Sequence, residues 1–356
     1  MSKQQHVIVV GAGIIGASIA WHLTRQGASV TVIAAREGGI ATPASFAWIN
    51  ASRNNPEPYY RLRIRAMTEW KRLAADVPAL EPSWSGGIRW DMSRAELDAY
   101  AQQHGEWGYG VVPLSSDDVQ RLEPSVAHPP DYAMHAVQEG FVEPEHAAQT
   151  LLADAQKRGA SVSDRQEVTG LLQIGDRISG VETTSGRYTA DHVVLAAGAG
   201  SVELAATIGI DIPMTSPPGL LAHSHPHAHL LNGLVIAPQL HMRQTADGRI
   251  IAGSDFGGTE PGEHPEETAA AIFARLKSSL IGAEDLRLSH YTLGYRPTPI
   301  DGFPIAGAVE QRPGLYIAVT HSGITLAPAL GLFAAEEILH GHHEPLLAPY
   351  RLARFG

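Results

Sequence analysis

Three glycines, Gly11, Gly13 and Gly16, stand at G-x-G-x-x-G spacing directly after the β-branched run 6–10, an arrangement suited to holding a pyrophosphate. Gly11 permits the sharp turn out of a strand, and Gly13 lets backbone approach phosphate oxygens with no Cβ between. Gly16 lets the following helix pack closely on the sheet. The stretch 14–26 predicts that helix, whose free N–H groups and positive dipole end face the phosphates. Gly27 ends it, and 30–33 return as a second strand. Strand, glycine turn, helix and strand within about 30 residues make a dinucleotide-binding unit. The acid that usually holds a ribose at the tip of the second strand is replaced by Ala34, followed by Ala35, Arg36 and Glu37. Spacing assigns the ribose to neither Arg36 nor Glu37.

Other residues with chemical potential lie farther on. The loop after position 34 mixes small residues (Gly38, Gly39, Thr42, Pro43, Ser45) with Phe46, Trp48 and Ile49, a composition that suits the edge of a flat ring; Trp48 reads equally as a core anchor. His241 and Arg243 alternate on a predicted strand, so both share one face, and whether that face looks toward the cofactor stays open. His223, His225, His227 and His229 also alternate, but Pro226 interrupts them and no carboxylate completes a set, so no metal site is expected. His340, His342 and His343 close the last helix, where cations suit its dipole.

The elements that must position these residues follow from periodicity. A helix over 58–77 turns Tyr60, Ile64, Met67 and Trp70 inward and leaves Arg61, Arg63, Arg65, Lys71 and Arg72 as a solvated face. Strands over 84–91 and 133–137, with helical pieces over 95–103 and 117–122, break the first rhythm and begin a second domain. A helix over 144–158 and an antiparallel set over 166–172, 177–183 and 188–189 lead to HVVLAAGAG, a buried strand, then a short helix over 201–208. Strands over 219–223, 234–238, 240–243, 249–254 and 286–293 surround a helix over 265–280. The strand 315–319, a polar turn and a helix over 324–340 bring a helix N-terminus back to the nucleotide site. A strand that re-enters the first domain points to a large flavin-binding domain rather than a compact nicotinamide one.

Composition bounds the rest. The 356 residues carry 26 basic against 37 acidic side chains, with no basic stripe for nucleic acid. No secretory leader or apolar run of membrane-spanning length is read. The chain has no cysteine, which excludes disulfides, thiolate metal ligands, cysteine nucleophiles and a cysteinyl flavin link, and fits a cytoplasmic protein.

With GAGIIGASIAWHL, GFVEPEHAAQTLLADAQKRGASV, HVVLAAGAG, GYRPTPIDGFPIAG and THSGITLAPALG in order along nearly the whole chain, the sequence resembles the D-amino acid oxidase superfamily of flavoenzymes, in particular glycine oxidase and the sarcosine oxidase-like amine oxidases. The resemblance implies a mixed α/β fold. A discontinuous Rossmann-like FAD-binding domain would cover 1–80, 138–212 and 300–356, and a substrate-binding domain built on an antiparallel sheet 81–137 and 213–299. Gly11, Gly13, Ile14, Ile15 and Gly16 would hold the pyrophosphate; Ala34 would stand where the family has its ribose-binding acid, Arg36 would lie near a phosphate, and Val168 would meet the adenine through its backbone. Thr42, Ser45, Phe46, Ala47, Trp48, Ala197 and Gly198 would border the flavin, and His321, Ser322, Gly323, Ile324 and Thr325 its pyrimidine side, where a reduced flavin gathers negative charge. Arg296 matches the family's carboxylate-clamping arginine, a task its planar fork suits. His241, Arg243, Asn50 and Trp48 complete the expected substrate site.

The implied reaction oxidises a carboxylate-bearing amine (an N-substituted glycine, an iminodiacetate-like amine, glycine or a D-amino acid). Hydride passes to flavin N5, the imine hydrolyses, and oxygen becomes hydrogen peroxide. Extra cations near Arg296 would favour two carboxylates. FAD would be noncovalent, since the loop 38–52 has neither cysteine nor histidine. Some relatives assist oxygen with a lysine; here the lysines are Lys3, Lys71, Lys157 and Lys277. The rival readings are a nicotinamide-dependent dehydrogenase and a noncatalytic or partner-dependent flavoprotein subunit of an amine dehydrogenase complex. The implied partner is a small-molecule amine, and a homo-oligomer is left open.

Overall fold

The computed structural model describes residues 4–52, 55–255 and 260–356, and two large sheets organise them; Lys3 lies outside these residues. The first sheet has six strands in the order Ile305–Ala308, Leu315–Val319, His192–Leu195, His6–Ala12, Ser29–Glu37 and Ser161–Ser163. Neighbours run parallel except at the Ile305–Ala308 edge. The central strands are buried on both faces, which is why 7–10 and 193–195 read as unbroken apolar runs. Val7, Val9, Val30 and Val194 pack under the helices Ile14–Arg25, Pro144–Lys157 and Gly323–His340. Ile8, Val10, Val193 and Leu195 meet the three-stranded antiparallel sheet Val168–Ile174, Arg177–Thr183 and Gly186–Thr189 and the helix Ser201–Ala206. The two edge strands were not expected: three and four residues of mostly small side chains carry no alternation to read.

The second sheet has eight strands in the order Leu288–Tyr295, Pro218–Ser224, Ile250–Gly253, Leu240–Gln244, Leu234–Ala237, Gly87–Arg89, Ala133–Ala136 and Val111–Leu114. One face packs under the helix Pro265–Ser279 through Ala222, Met242, Ala252, Ile272 and Phe273. The other packs Leu221, Ile236 and Ile251 against Phe46, Trp48 and Phe141, so the ring-bordering loop lies between the two sheets. The strand expected over 84–91 narrows to Gly87–Arg89. Gly86 has φ +77°, a conformation that interrupts a strand, and Ser83 pairs instead with Phe141.

The helix Glu57–Asp76 corrects one expectation. Arg61 pairs with Glu57 on the surface, but Arg65 and Arg72 both reach the buried Glu69, and Arg63 is only 6% exposed. Position 63 falls in the stripe of Tyr59, Tyr60, Ala66, Met67, Trp70 and Leu73, three or four residues from four of them, so helical geometry turns it inward. The last helix contains Pro328, which has no N–H for the carbonyl four residues before it. Trp70 Nε1 supplies the missing donor to Ile324 O at 2.8 Å.

Candidate functional site

The glycine turn is closed by contacts that tolerate no side chain. Gly11 has φ +107°, and a Cβ there would lie 2.4 Å from Ala196 O; one on Gly16 would lie 2.0 Å from Gly11 O. Gly13 is the extended N-cap of the opening helix, whose first turn has no side-chain cap and no acidic residue. Ile14 N–H donates to Thr42 Oγ1 at 3.1 Å, while the first-turn amides of Ile15 and Gly16 have no acceptor within the helix. The last helix likewise begins after Ser322 with no side-chain cap and no acid in its first turn. A Cβ on Gly323 would come within 3.6–3.8 Å of Ile15 and Ile14, so two bare helix N-termini converge and focus positive potential on one place. These residues fit an anionic dinucleotide.

The second strand extends to Glu37 and sets it opposite Ala12 in the glycine turn. Arg36 leans to Glu145 at 3.4 Å, and Ala34 O accepts from Gln166 N at 3.0 Å. Val168 begins its strand two residues beyond Gln166. Ala197 and Gly198 follow Ala196, whose N–H bonds to Val10 O, and Gly198 has φ +58°.

The loop 42–50 is fixed from several sides. Ser45 Oγ accepts from Ala47 N at 3.0 Å, and Ala47 is a buried non-glycine residue at φ +64°, a costly conformation held by its surroundings. Trp48–Ile49 pairs with Gly140–Phe141. Thr325 Oγ1, in the first turn of the last helix, donates to Trp48 O at 3.1 Å and accepts from Asn50 N at 3.3 Å. Arg63 joins the same points: Nε donates to Asn50 O at 2.9 Å, Nη2 to Asn50 Oδ1 at 2.7 Å and Nη1 to Ser322 Oγ at 2.8 Å. His321 Nε2 lies 2.9 Å from Gly302 O, which can only accept, so that nitrogen carries the proton. Its Nδ1 then accepts from Ser322 Oγ at 3.2 Å. The His321 side chain is exposed, yet its packed surroundings, followed by Arg63, lower its pKa, leaving a neutral ring beside the helix start at pH 7.

The second sheet forms the opposite wall. His241 and Arg243 both face the loop 42–50. The His241 ring meets the Phe46 ring edge-on at 4.5 Å. Arg243, 0% exposed, donates through Nε to Phe46 O and through Nη1 to Glu143 Oε1, each at 2.7 Å. It braces the loop. Beside His241 a cavity of about 170 Å³ is lined by Asp91, Gln239, Ser254 and Asp255. Arg296 follows the strand Leu288–Tyr295, and its guanidinium lies over Gly219, where a Cβ would come 2.8 Å from Nη2. Two residues earlier, on the same strand face, a Cβ on Gly294 would touch Ala44 at 2.8 Å. Burial lowers the Arg296 pKa and Asp255 raises it; an arginine stays charged throughout the physiological range. Trp48 is buried, with its indole N–H on Glu139 Oε2 at 2.8 Å.

Sequence reasoning missed Arg63 and Glu139. The helical stripe could have revealed the first; an acid in the turn before Gly140–Phe141 carries no signal. His223, weighed as a ligand, stacks on His290 with ring centroids 4.6 Å apart. Among the described residues no helix is long and apolar enough to cross a membrane.

Residues 6–337 match the profile of the family described as FAD dependent oxidoreductase. The uncharacterized oxidoreductase YurR of Bacillus subtilis is 29% identical, over 96% of this chain and 97% of that protein. A glycine oxidase of Bacillus licheniformis is 28% identical, over 95% of this chain and 94% of its own. The crystal structure of L-proline dehydrogenase from P. horikoshii superposes with a TM-score of 0.87 at 23% identity, covering 100% of this chain and 98% of that one, a likeness of fold.

Proposed function

The chain belongs to the FAD dependent oxidoreductase family, the premise from which we infer that it oxidises an amino acid or secondary amine bearing one carboxylate, with Arg296 as the carboxylate clamp. The observation that carries this reading is the Arg296 guanidinium lying over the bare Gly219 backbone, on the sheet face where Gly294 meets Ala44 of the ring-bordering loop. FAD, when bound, would supply a two-electron acceptor for the hydride, with oxygen as the terminal acceptor and hydrogen peroxide as product. The chain has no cysteine, and the loop 38–52 has no histidine, so the cofactor is held without a covalent link. The fork of Arg296 receives both carboxylate oxygens and fixes the α-carbon in the cleft between the sheets. His321, Ser322 and the first turn of the last helix hold the pole where negative charge gathers. Conversion of the bound amine to an imine would remove a hydride equivalent from carbon and a proton from nitrogen, the proton passing to solvent, and water would hydrolyse the imine in solution.

A second carboxylate is disfavoured here. Arg243 is engaged by Glu143, and the cavity beside His241 carries Asp91 and Asp255. The glycine oxidase and L-proline dehydrogenase similar to this chain are both named for amino acid substrates, which supports the class without choosing a member.

The test is anaerobic bleaching of the yellow holoprotein by glycine, N-substituted glycines, D-amino acids and proline, against matching amines without a carboxylate. Carboxylate-bearing amines should bleach it, and Arg296→Met should lower kcat/KM about 100-fold or more with the flavin spectrum unchanged, as expected for a lost charged pair. Equal bleaching by amines lacking the carboxylate, or an Arg296→Met protein with unaltered kcat/KM, would refute the clamp. A holoprotein that no amine reduces would favour the flavin-holding subunit of a larger dehydrogenase instead.

A further inference from the structure

A buried acid beside the ring-bordering loop has no part in the chemistry above. Glu139 is 1% exposed and lies between the strands Ala133–Ala136 and Gly140–Phe141. Both of its oxygens are engaged by neutral donors from elsewhere in the fold: Trp48 Nε1 reaches Oε2 at 2.8 Å and Tyr109 OH reaches Oε1 at 2.8 Å. Tyr109 OH in turn accepts from Ala51 N at 3.2 Å. The loop is thus gripped at Trp48 through its side chain and at Ala51 through its backbone, and both grips end on one carboxylate. Space for it comes from Gly87, where a Cβ would lie 2.9 Å from Glu139 Oε2. Such a buried charged acceptor is costly unless its hydrogen bonds are made, which argues for a specific task.

We propose that Glu139 is a positioning residue that ties the loop 48–51, and through it the flavin border, to the substrate-side sheet. The inference rests on the FAD-binding reading of that loop. The groups around the carboxylate are the Trp48 indole, Ser52, Tyr109, Arg89 and Tyr100, and Asp91 pairs with Arg89 from behind. Ser52 lies close enough to favour the ionised carboxylate, as does the Arg89 guanidinium, so Glu139 sits in a buried pocket rich in donors. Burial pushes the Glu139 pKa up to about 7. The ionised form accepts from Trp48 and Tyr109 together, so the tie tightens as pH rises through 7. Global stability runs the other way: the contribution of the neutral acid is fully present below the ordinary carboxylate range and is lost as pH rises through about 7.

The test uses Glu139→Gln, Trp48→Phe, which removes the indole donor together with part of the ring, and the double variant. FAD affinity of the apoproteins is read by flavin fluorescence quenching, and the visible spectrum of each holoprotein is followed from pH 5.5 to 8.5. Each single variant should bind FAD about tenfold more weakly, the loss expected for one charged hydrogen bond, with the double little worse than either. The wild-type flavin band should shift with a midpoint near 7, and the shift should be absent in Glu139→Gln. Single variants that match the wild type in FAD affinity and spectrum, or strictly additive losses, would overturn the proposal. Should Glu139→Gln fail to fold, Trp48→Phe decides alone: an unchanged FAD affinity and an unchanged flavin spectrum refute the tie. A wild-type apoprotein that takes up no FAD would instead overturn the cofactor reading.

Discussion

Replacing Arg63 with lysine keeps the charge and removes the fork. In the structure the guanidinium serves three acceptors at 2.7 to 2.9 Å, two on Asn50 and one on Ser322, in a site that water scarcely enters. A lysine ammonium on this stem reaches one of them. Each hydrogen bond from a charged donor is worth about 1.5–3 kcal/mol, and a buried acceptor left unmade costs a similar amount. Losing two, with partial relaxation, gives an expected loss of about 3 kcal/mol, roughly a 150-fold change in an equilibrium constant. Urea unfolding of the cofactor-free protein would measure it as a lower midpoint with unchanged slope. Arg63→Met, which strands all three acceptors, should lose more. An Arg63→Lys apoprotein within about 0.5 kcal/mol of the wild type would refute the reasoning, because it would mean that the acceptors on Asn50 and Ser322 find other donors without cost.

Gly16→Ala should abolish FAD uptake in a chain that still expresses, since its Cβ would sit 2.0 Å from Gly11 O and the helix must back away from the phosphate turn; a yellow Gly16→Ala protein with near wild-type affinity would contradict this. His22 is buried against the last helix, and burial, followed by the nearby Arg25, lowers its pKa from 6.5 to about 3. The folded state therefore binds fewer protons than the unfolded chain between those values, and stability falls as pH drops below 6.5, by about 2 kcal/mol at pH 5. His22→Gln should flatten the stability profile between pH 7 and pH 5, and profiles that run parallel would count against it.

The nucleotide half was legible because its rules are local. Glycine spacing, a β-branched run and a helix of one period sit within about 30 residues, and their geometry admits few alternatives. The eight-stranded sheet was readable strand by strand but not in order, since pairing Leu234–Ala237 with Gly87–Arg89 is a long-range choice that no short window encodes. Site residues split along the same line. Arg296 is singled out by a motif, and Arg63 was misread because five cations on one helix suggested a wet face, although its spacing from Tyr59, Tyr60, Met67 and Trp70 placed it inside. Glu139 could not be found at all: the partners that make it unusual come from positions 48 and 109.

The two helices that converge without caps have a consequence for the protein as a thermodynamic object. Neither has a side-chain bond from its N-cap residue or an acid in its first turn, and the two positive ends face one another across Ile14, Ile15 and Gly323, so the fold contains a repulsion that an anion relieves. The cofactor is then a component of folding as well as of chemistry. Unfolding should shift upward with free FAD concentration, by about 2.7 kcal/mol at a hundredfold excess over Kd, and chain made faster than flavin is supplied should be the fraction that proteases remove.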